Sequence, residues 1–94
     1  MMKIEHDEAD TKGNFFINEN GDRLAELAYT RSSTGEMTIY HTEVSPKLRG
    51  EGIGQDMVAE AVKFARDNDL KIKATCPYAK KLIDKTPEYK DVLA

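Results

Sequence analysis

The chain has 94 residues, 39% hydrophobic and 33% charged, a composition typical of one small folded domain and not of a disordered segment. Fourteen basic side chains stand against seventeen acidic ones, and the net charge of -3 gives no reason to expect nucleic acid or an anionic membrane as partner. The start of the chain is too polar for a signal peptide, and no apolar run approaches membrane-spanning length. One cysteine, Cys76, excludes an internal disulfide, and there is no Cys/His cluster for a metal. We expect a single domain over residues 1–94, in the reducing cytoplasm.

Residues 14–44 predict an antiparallel meander, because three β-prone segments are separated by two turn signals. The three predicted strands are residues 14–18, 23–30 and 36–44. An Asn-Gly pair at residues 20–21 and the segment 32–35 supply the turns. The polar segment before the meander is expected to be loosely held, with room for a short edge strand at residues 1–5.

The third predicted strand alternates clearly between two faces. Met37, Ile39 and His41 fall on one face of it, and the residues between them fall on the other. Strict alternation therefore predicts that His41 shares the face of Met37 and Ile39.

After a glycine-rich stretch the apolar period becomes helical. The apolar stripe of the predicted helix is Ile53, Met57, Val58, Ala61, Val62 and Ala65. A strand follows at residues 70–76, and Pro77 suits the first position of a closing helix. Strand, helix and strand of these lengths form a crossover, so residues 36–44 and 70–76 should run parallel. The predicted fold class is α+β, a compact mixed sheet of roughly four to five strands with one main helix and a short C-terminal helix.

The stretch LRGEGIGQD, residues 48–56, places three glycines where the main helix begins. It lacks the Lys-Ser or Lys-Thr that ends a P-loop, and its glycine spacing is not that of the dinucleotide fingerprint. Glycines at a helix start leave backbone N–H groups open, and these donors bind anions together with the helix dipole. Arg49 adds a positive side chain, so the stretch predicts an anion site. The alternative is that the glycines only allow tight packing of the helix on the sheet.

The segment VSPKLRGEGIG, residues 44–54, resembles the acyl-CoA pyrophosphate loop of GNAT-type N-acetyltransferases, whose core pattern is Arg/Gln-x-x-Gly-x-Gly/Ala. Arg49, Gly52 and Gly54 match that pattern. The tail CPYAKKLIDKTPEY, residues 76–89, is similar to the ending of a small single-domain branch of that superfamily. Leu82 and Thr86 depart from that branch, which often has Trp and His at these positions. The resemblance covers residues 36–90 and implies a GNAT-like fold.

The resemblance also implies an N-acetyltransferase that uses acetyl-CoA as cosubstrate and no metal. Loop amides would hold the CoA pyrophosphate, and the strand end at Val44 would pair with the pantetheine arm. The implied binding residues are Val44, Arg49, Gly50, Glu51, Gly52, Ile53, Gly54 and Gln55. Tyr78 is a candidate hydrogen-bond donor to the CoA sulfur, or a residue that only covers the core. The acceptor, a small molecule or a protein amine, is not implied.

Two side chains are candidates for the chemistry. Parallel strands end at the same sheet edge, so Cys76 should lie near Val44. Cys76 also stands at the N-cap of the closing helix, where the dipole lowers the pKa of a thiol. His41, three residues before Val44, is a candidate base for an amine or for the Cys76 thiol. For each, the alternative is a buried or half-buried side chain without a catalytic duty.

Three functions therefore remain open. The first is an acetyl-CoA-dependent N-acetyltransferase that acts directly or through acetyl-Cys76. The second is a module that binds CoA or acyl-CoA without turnover, and the third is a small interaction domain with purely structural glycines. We expect acetyl-CoA and an amine as partners, no nucleic acid or membrane, and a monomer or weak dimer.

Overall fold

A computed structural model describes residues 3–94, whose backbone forms a mixed five-stranded sheet with two α-helices. The strands, in sheet order as in chain order, are β1 (Glu5–Ala9), β2 (Lys12–Glu19), β3 (Asp22–Arg31), β4 (Glu36–Val44) and β5 (Lys71–Ala74). The helices are α1 (Ile53–Asp67) and α2 (Pro77–Asp84), and 3₁₀ turns span Pro46–Leu48 and Pro87–Val92. β1 to β4 pair antiparallel and β4 pairs parallel with β5, which confirms the predicted meander, crossover and α+β class. No helix within residues 3–94 has the length and apolar character to span a bilayer.

The N-terminal edge strand lies at Glu5–Ala9, later in the chain than the predicted residues 1–5. Met1 and Met2 of that prediction lie outside the described residues. β1 is polar, but His6 anchors it: the imidazole stacks on Phe15 with ring centroids 4.1 Å apart, and its Nε2 lies 2.6 Å from the Tyr29 hydroxyl. Aromatic contacts of His6 with Phe15, Tyr29 and Phe64, together with this hydrogen bond, thus link an exposed strand to the core.

β4 contains one residue more than the part of β3 that it faces. Tyr29 lies opposite Ile39 and Ala28 opposite His41, so Tyr40 is the extra residue of a β-bulge. The bulge reverses the side-chain alternation after Ile39. The prediction that His41 shares the face of Met37 and Ile39 is therefore wrong, and Thr42, opposite the buried Leu27, takes the core face instead.

The core lies between the sheet and the two helices. The predicted stripe of α1 is buried apart from Ile53, which is only half-buried at the start of the helix. α2 adds Leu82 and Ile83 to the same core, and the Thr86 hydroxyl donates to the Leu82 carbonyl at 2.8 Å. Leu82 and Thr86, the two departures from the small branch, thus have packing roles here. Each fully buried aliphatic side chain contributes about 1.5–3 kcal/mol, which holds helices of modest intrinsic propensity in place.

Candidate functional site

β4 and β5 separate at the carboxyl end of their parallel pairing. The ladder runs from Glu36–Lys71 to Ile39–Ala74, and the Ile39 carbonyl then accepts hydrogen bonds from the N–H groups of Thr75 and Cys76. β5 ends there, whereas β4 continues to Val44. In the part of the chain that the structure describes, no strand lies beside residues 40–44 on the β5 side. This open edge can accept an extended ligand as an added strand.

The loop after β4 presents backbone donors. The Ser45 hydroxyl accepts from the Lys47 N–H at 3.2 Å and starts the 3₁₀ turn. Gly50 and Gly52 have left-handed backbones, with φ of 86° and 71°, which favour glycine. Gly52 is the N-cap of α1, and no side chain caps the helix there. The first N–H groups of α1 therefore stay open, at the positive end of its dipole.

A cleft of about 340 Å³ joins this loop to the open edge of β4. It is lined by Thr42, Val44, Ser45, Leu48, Arg49, Gly50, Gly52, Ile53, Gly54 and Tyr78. Seven of the predicted binding residues are in that set, whereas Glu51 and Gln55 are exposed beside the cleft and do not line it. The size is within the range of small-molecule sites.

Tyr78 forms one wall of the cleft, close to the start of α1. Its side chain is 48% exposed, so it does not cover the core, which was one of the two interpretations of this residue. A Cβ built on Gly54 would lie 2.7 Å from Cζ and 2.9 Å from Cε2 of the Tyr78 ring. The ring thus occupies the space that a side chain at position 54 would need.

Cys76 is buried at 9% exposure, at the N-cap of α2 as predicted. It does not line the cleft, but its Sγ lies 3.5 Å from the Thr42 Oγ1, and Thr42 does line it. Burial favours the neutral thiol, but the thiolate would receive hydrogen bonds from the Ala79 N–H, the Thr42 hydroxyl and the Tyr78 N–H, and the pKa of Cys76 is lowered overall. The neutral thiol makes no capping hydrogen bond, so we assign this stabilisation to the ionised form. Sequence reasoning missed Thr42.

His41 is not brought together with Cys76. Because of the bulge, its side chain lies on the outer face of the sheet, is 45% exposed, and places Nε2 3.4 Å from Glu43 Oε2. It lines a separate shallow groove with residues of β1, β2 and β3. Among residues 3–94, no three His, Cys, Asp or Glu side chains are grouped so as to hold a metal.

Comparisons with known proteins found a matching family model, similar sequences and similar structures. The family model described as "GCN5-related N-acetyl-transferase" matches residues 14–92. Protein NATD1 of Xenopus tropicalis is 31% identical over 86 residues, which cover 92% of this chain and 78% of that protein. The solution structure of a GCN5-like protein from Staphylococcus aureus has a TM-score of 0.75 and 36% identity, over 96% of this chain and 87% of that one. The ribosomal-protein-S18-alanine N-acetyltransferase of Escherichia coli, at 15% identity, shares the fold with a TM-score of 0.69, over 85% of this chain and 54% of that one.

Proposed function

Because the chain belongs to the GCN5-related N-acetyltransferase family, we propose that it binds acetyl-CoA in the cleft and transfers the acetyl group to an amine. The observation that carries this proposal is the open edge of β4 beside the uncapped start of α1. The open edge offers main-chain hydrogen bonds to an extended pantetheine arm, and the helix start offers donors to a pyrophosphate. One cleft is lined by residues of both.

The residues of the loop fit a diphosphate. At Gly50 a Cβ would meet no atom within 4 Å, and at Gly52 only the Gln55 Oε1 at 4.0 Å, so the amides there are open to a ligand. Arg49 lines the same cleft and brings a cation. A helix N-terminus adds typically 0.3–1 kcal/mol for an anion at its first turn. Donors, dipole and guanidinium all favour a negatively charged group at this point.

Bound acetyl-CoA supplies a thioester whose carbonyl carbon is open to a nucleophile. In the covalent route the Cys76 thiolate attacks that carbon, forms a bond from its sulfur to the acetyl group and releases CoA as a thiol after proton uptake. The acceptor amine then takes the acetyl group and returns the Cys76 thiol. Thr42 supports this route, because its hydroxyl is within reach of the Cys76 sulfur and its side chain lines the cleft.

A direct route needs a base that accepts the proton of the attacking amine. His41 and a water molecule are the two candidates. The exposed ring of His41 on the outer face of the sheet favours the water, because an acceptor in the cleft would meet the opposite face of β4.

The second candidate function is binding of CoA without turnover. One observation favours it: neither Cys76 nor His41 lines the cleft. In this function the loop and the β4 edge carry the whole activity, and the cysteine is a core residue at a helix start.

Two measurements separate the candidates. Isothermal titration with CoA tests binding, and the absence of a binding signal contradicts both functions. Intact-mass spectrometry after incubation with acetyl-CoA tests the covalent route in the wild type and in Cys76→Ser. Addition of one acetyl group to the wild type alone supports acetyl-Cys76. A panel of amines is then offered as acceptors. If wild type and Cys76→Ser release CoA at equal rates, direct transfer is supported. If CoA binds but no acetyl group is transferred, the binding module is supported.

A further inference from the structure

We propose that Gly54 is a positioning residue: its missing side chain allows the Tyr78 ring to lie against the first turn of α1, where the ring forms a wall of the cleft. This inference rests on the proposed function, because the ligand that meets this wall would be CoA. It gives Gly54 a different purpose from Gly50 and Gly52, although all three stand in one glycine-rich stretch.

The backbone does not explain the glycine at position 54. Gly50 and Gly52 have left-handed φ angles, whereas Gly54 lies inside α1 and has no positive φ. Glycine at a helical position costs about 1 kcal/mol relative to alanine, so it needs another reason. The structure gives a steric reason, because a Cβ at this buried position would lie 2.7 Å from Cζ of Tyr78.

In Gly54→Ala, the overlap between the new methyl group and the Tyr78 ring would be relieved by movement of the Tyr78 side chain and not of helix α1. Tyr78 follows Pro77 at the start of α2, and the Pro77 ring fixes the backbone angle there. The Tyr78 side chain, 48% exposed, has solvent on one side and can rotate towards it. A methyl group at position 54 therefore displaces the ring from the cleft without opening the core.

The position of the ring matters for a ligand in the cleft. Thr42 and Val44, at the end of β4, line the same cleft as Tyr78. With the ring in place, we expect a bound chain to be covered on the Tyr78 side, so that less water reaches the open amides of α1. Hydrogen bonds to a bound anion strengthen when water is kept away from them. Displacing the ring leaves the donors in place but opens one wall.

A double-mutant cycle tests the proposal. CoA affinity is measured by isothermal titration for the wild type, Gly54→Ala, Tyr78→Ala and the double variant. Each single variant is expected to bind CoA roughly tenfold more weakly, which corresponds to about 1.4 kcal/mol and lies within the range of coupling energies between residues in contact. The double variant is expected to match Tyr78→Ala within about twofold, because the methyl group then has no ring to displace. Tyr78→Phe keeps the ring, so Gly54→Ala in that background should again weaken binding.

Two further readouts distinguish this proposal from a structural defect and from failure of the proposed function. Thermal unfolding should show no loss of stability in Gly54→Ala, since alanine is the better helix former. Without any ligand, nuclear Overhauser contacts between the Tyr78 ring and the residue 54 α-proton should be strong in the wild type and lost in Gly54→Ala. Their persistence overturns the proposal, as do unchanged CoA affinity in Gly54→Ala and additive losses in the double variant. If the wild type fails to bind CoA, the proposed function falls, and these contacts still decide whether Gly54 positions Tyr78.

Discussion

Gly52→Ala adds a methyl group at the start of α1, and Gly21→Ala is its matched control. Both glycines are left-handed, with φ of 71° and 85°, and a Cβ at either has space around it. Each substitution therefore imposes the same backbone strain, about 1–2 kcal/mol for an L-residue in the left-handed region. The two sites differ in place: Gly52 lines the cleft, whereas Gly21 lies in the turn between β2 and β3.

The magnitudes follow from this geometry. For a domain of this size, 1 kcal/mol shifts the unfolding midpoint by about 4–8 °C, so both variants should melt roughly 4–16 °C below the wild type. Only Gly52→Ala should lose CoA affinity, because position 52 lines the cleft beside the amides proposed to receive the anion, and position 21 does not. Losing about 1.4 kcal/mol of binding free energy at this contact region raises the dissociation constant for CoA about tenfold.

The assay pairs thermal unfolding with isothermal titration of CoA at a temperature where both variants remain folded. The expected result is equal destabilisation and unequal affinity. Equal affinity in Gly52→Ala, Gly21→Ala and the wild type would contradict this prediction, since Gly52 would then serve the backbone alone. Equal loss in both variants would refute it as well, because binding would then follow stability and not position.

Three further predictions use separate residues. His41→Ala should reduce the steady-state rate of acetyl transfer by much less than the roughly hundredfold that removal of a general base causes, since the ring lies on the outer face. A hundredfold loss would identify His41 as the base. The rate of Cys76 alkylation by iodoacetamide should have its pH midpoint below that of free cysteine. Thr42→Val should raise this midpoint, because it removes a hydrogen bond to the thiolate. A wild-type midpoint at or above that of free cysteine would contradict the lowered pKa of Cys76. Gly13→Ala should lower the free energy of unfolding by about 1–3 kcal/mol in urea, because its Cβ would overlap the buried Tyr29 ring, while CoA affinity stays unchanged; unaltered stability would contradict the packing described.

Much of the fold could be predicted from the sequence because its signals are local. The bounds of β4 agree with the prediction, and the apolar stripe of α1 is buried where helical periodicity placed it. The glycine-rich stretch was likewise recognisable as a helix start after a strand. Of the loop residues implied to bind CoA, all but Glu51 and Gln55 line the cleft, because loop and helix start are contiguous in sequence.

The features that escaped prediction depend on contacts between distant residues. The bulge at Tyr40 arises from how β4 pairs with β3, and no local pattern announces an extra residue. It moves His41 to the outer face and brings Thr42 towards Cys76. The N-terminal edge strand was expected at residues 1–5 and lies at Glu5–Ala9, because its polar sequence is held by His6 through contacts with Phe15 and Tyr29.

The packing of Tyr78 against Gly54 was equally invisible in the sequence. The two residues belong to different helices, and a glycine in a known loop pattern already had an explanation. Only the folded chain separates the two reasons for glycine in one stretch, a left-handed backbone at Gly50 and Gly52 and a neighbouring ring at Gly54.

We propose that the cleft between the β4 edge and the start of α1 is a CoA site, and an amide chemical-shift titration with CoA is the most direct experiment on this proposal. We expect the largest shifts at the amides of Gly50, Gly52 and Ile53 and of Val44 at the end of β4. Amides near His41 on the outer face should shift less. Shifts confined to that outer face, or no shift at a large excess of CoA, would show that the cleft is not the CoA site.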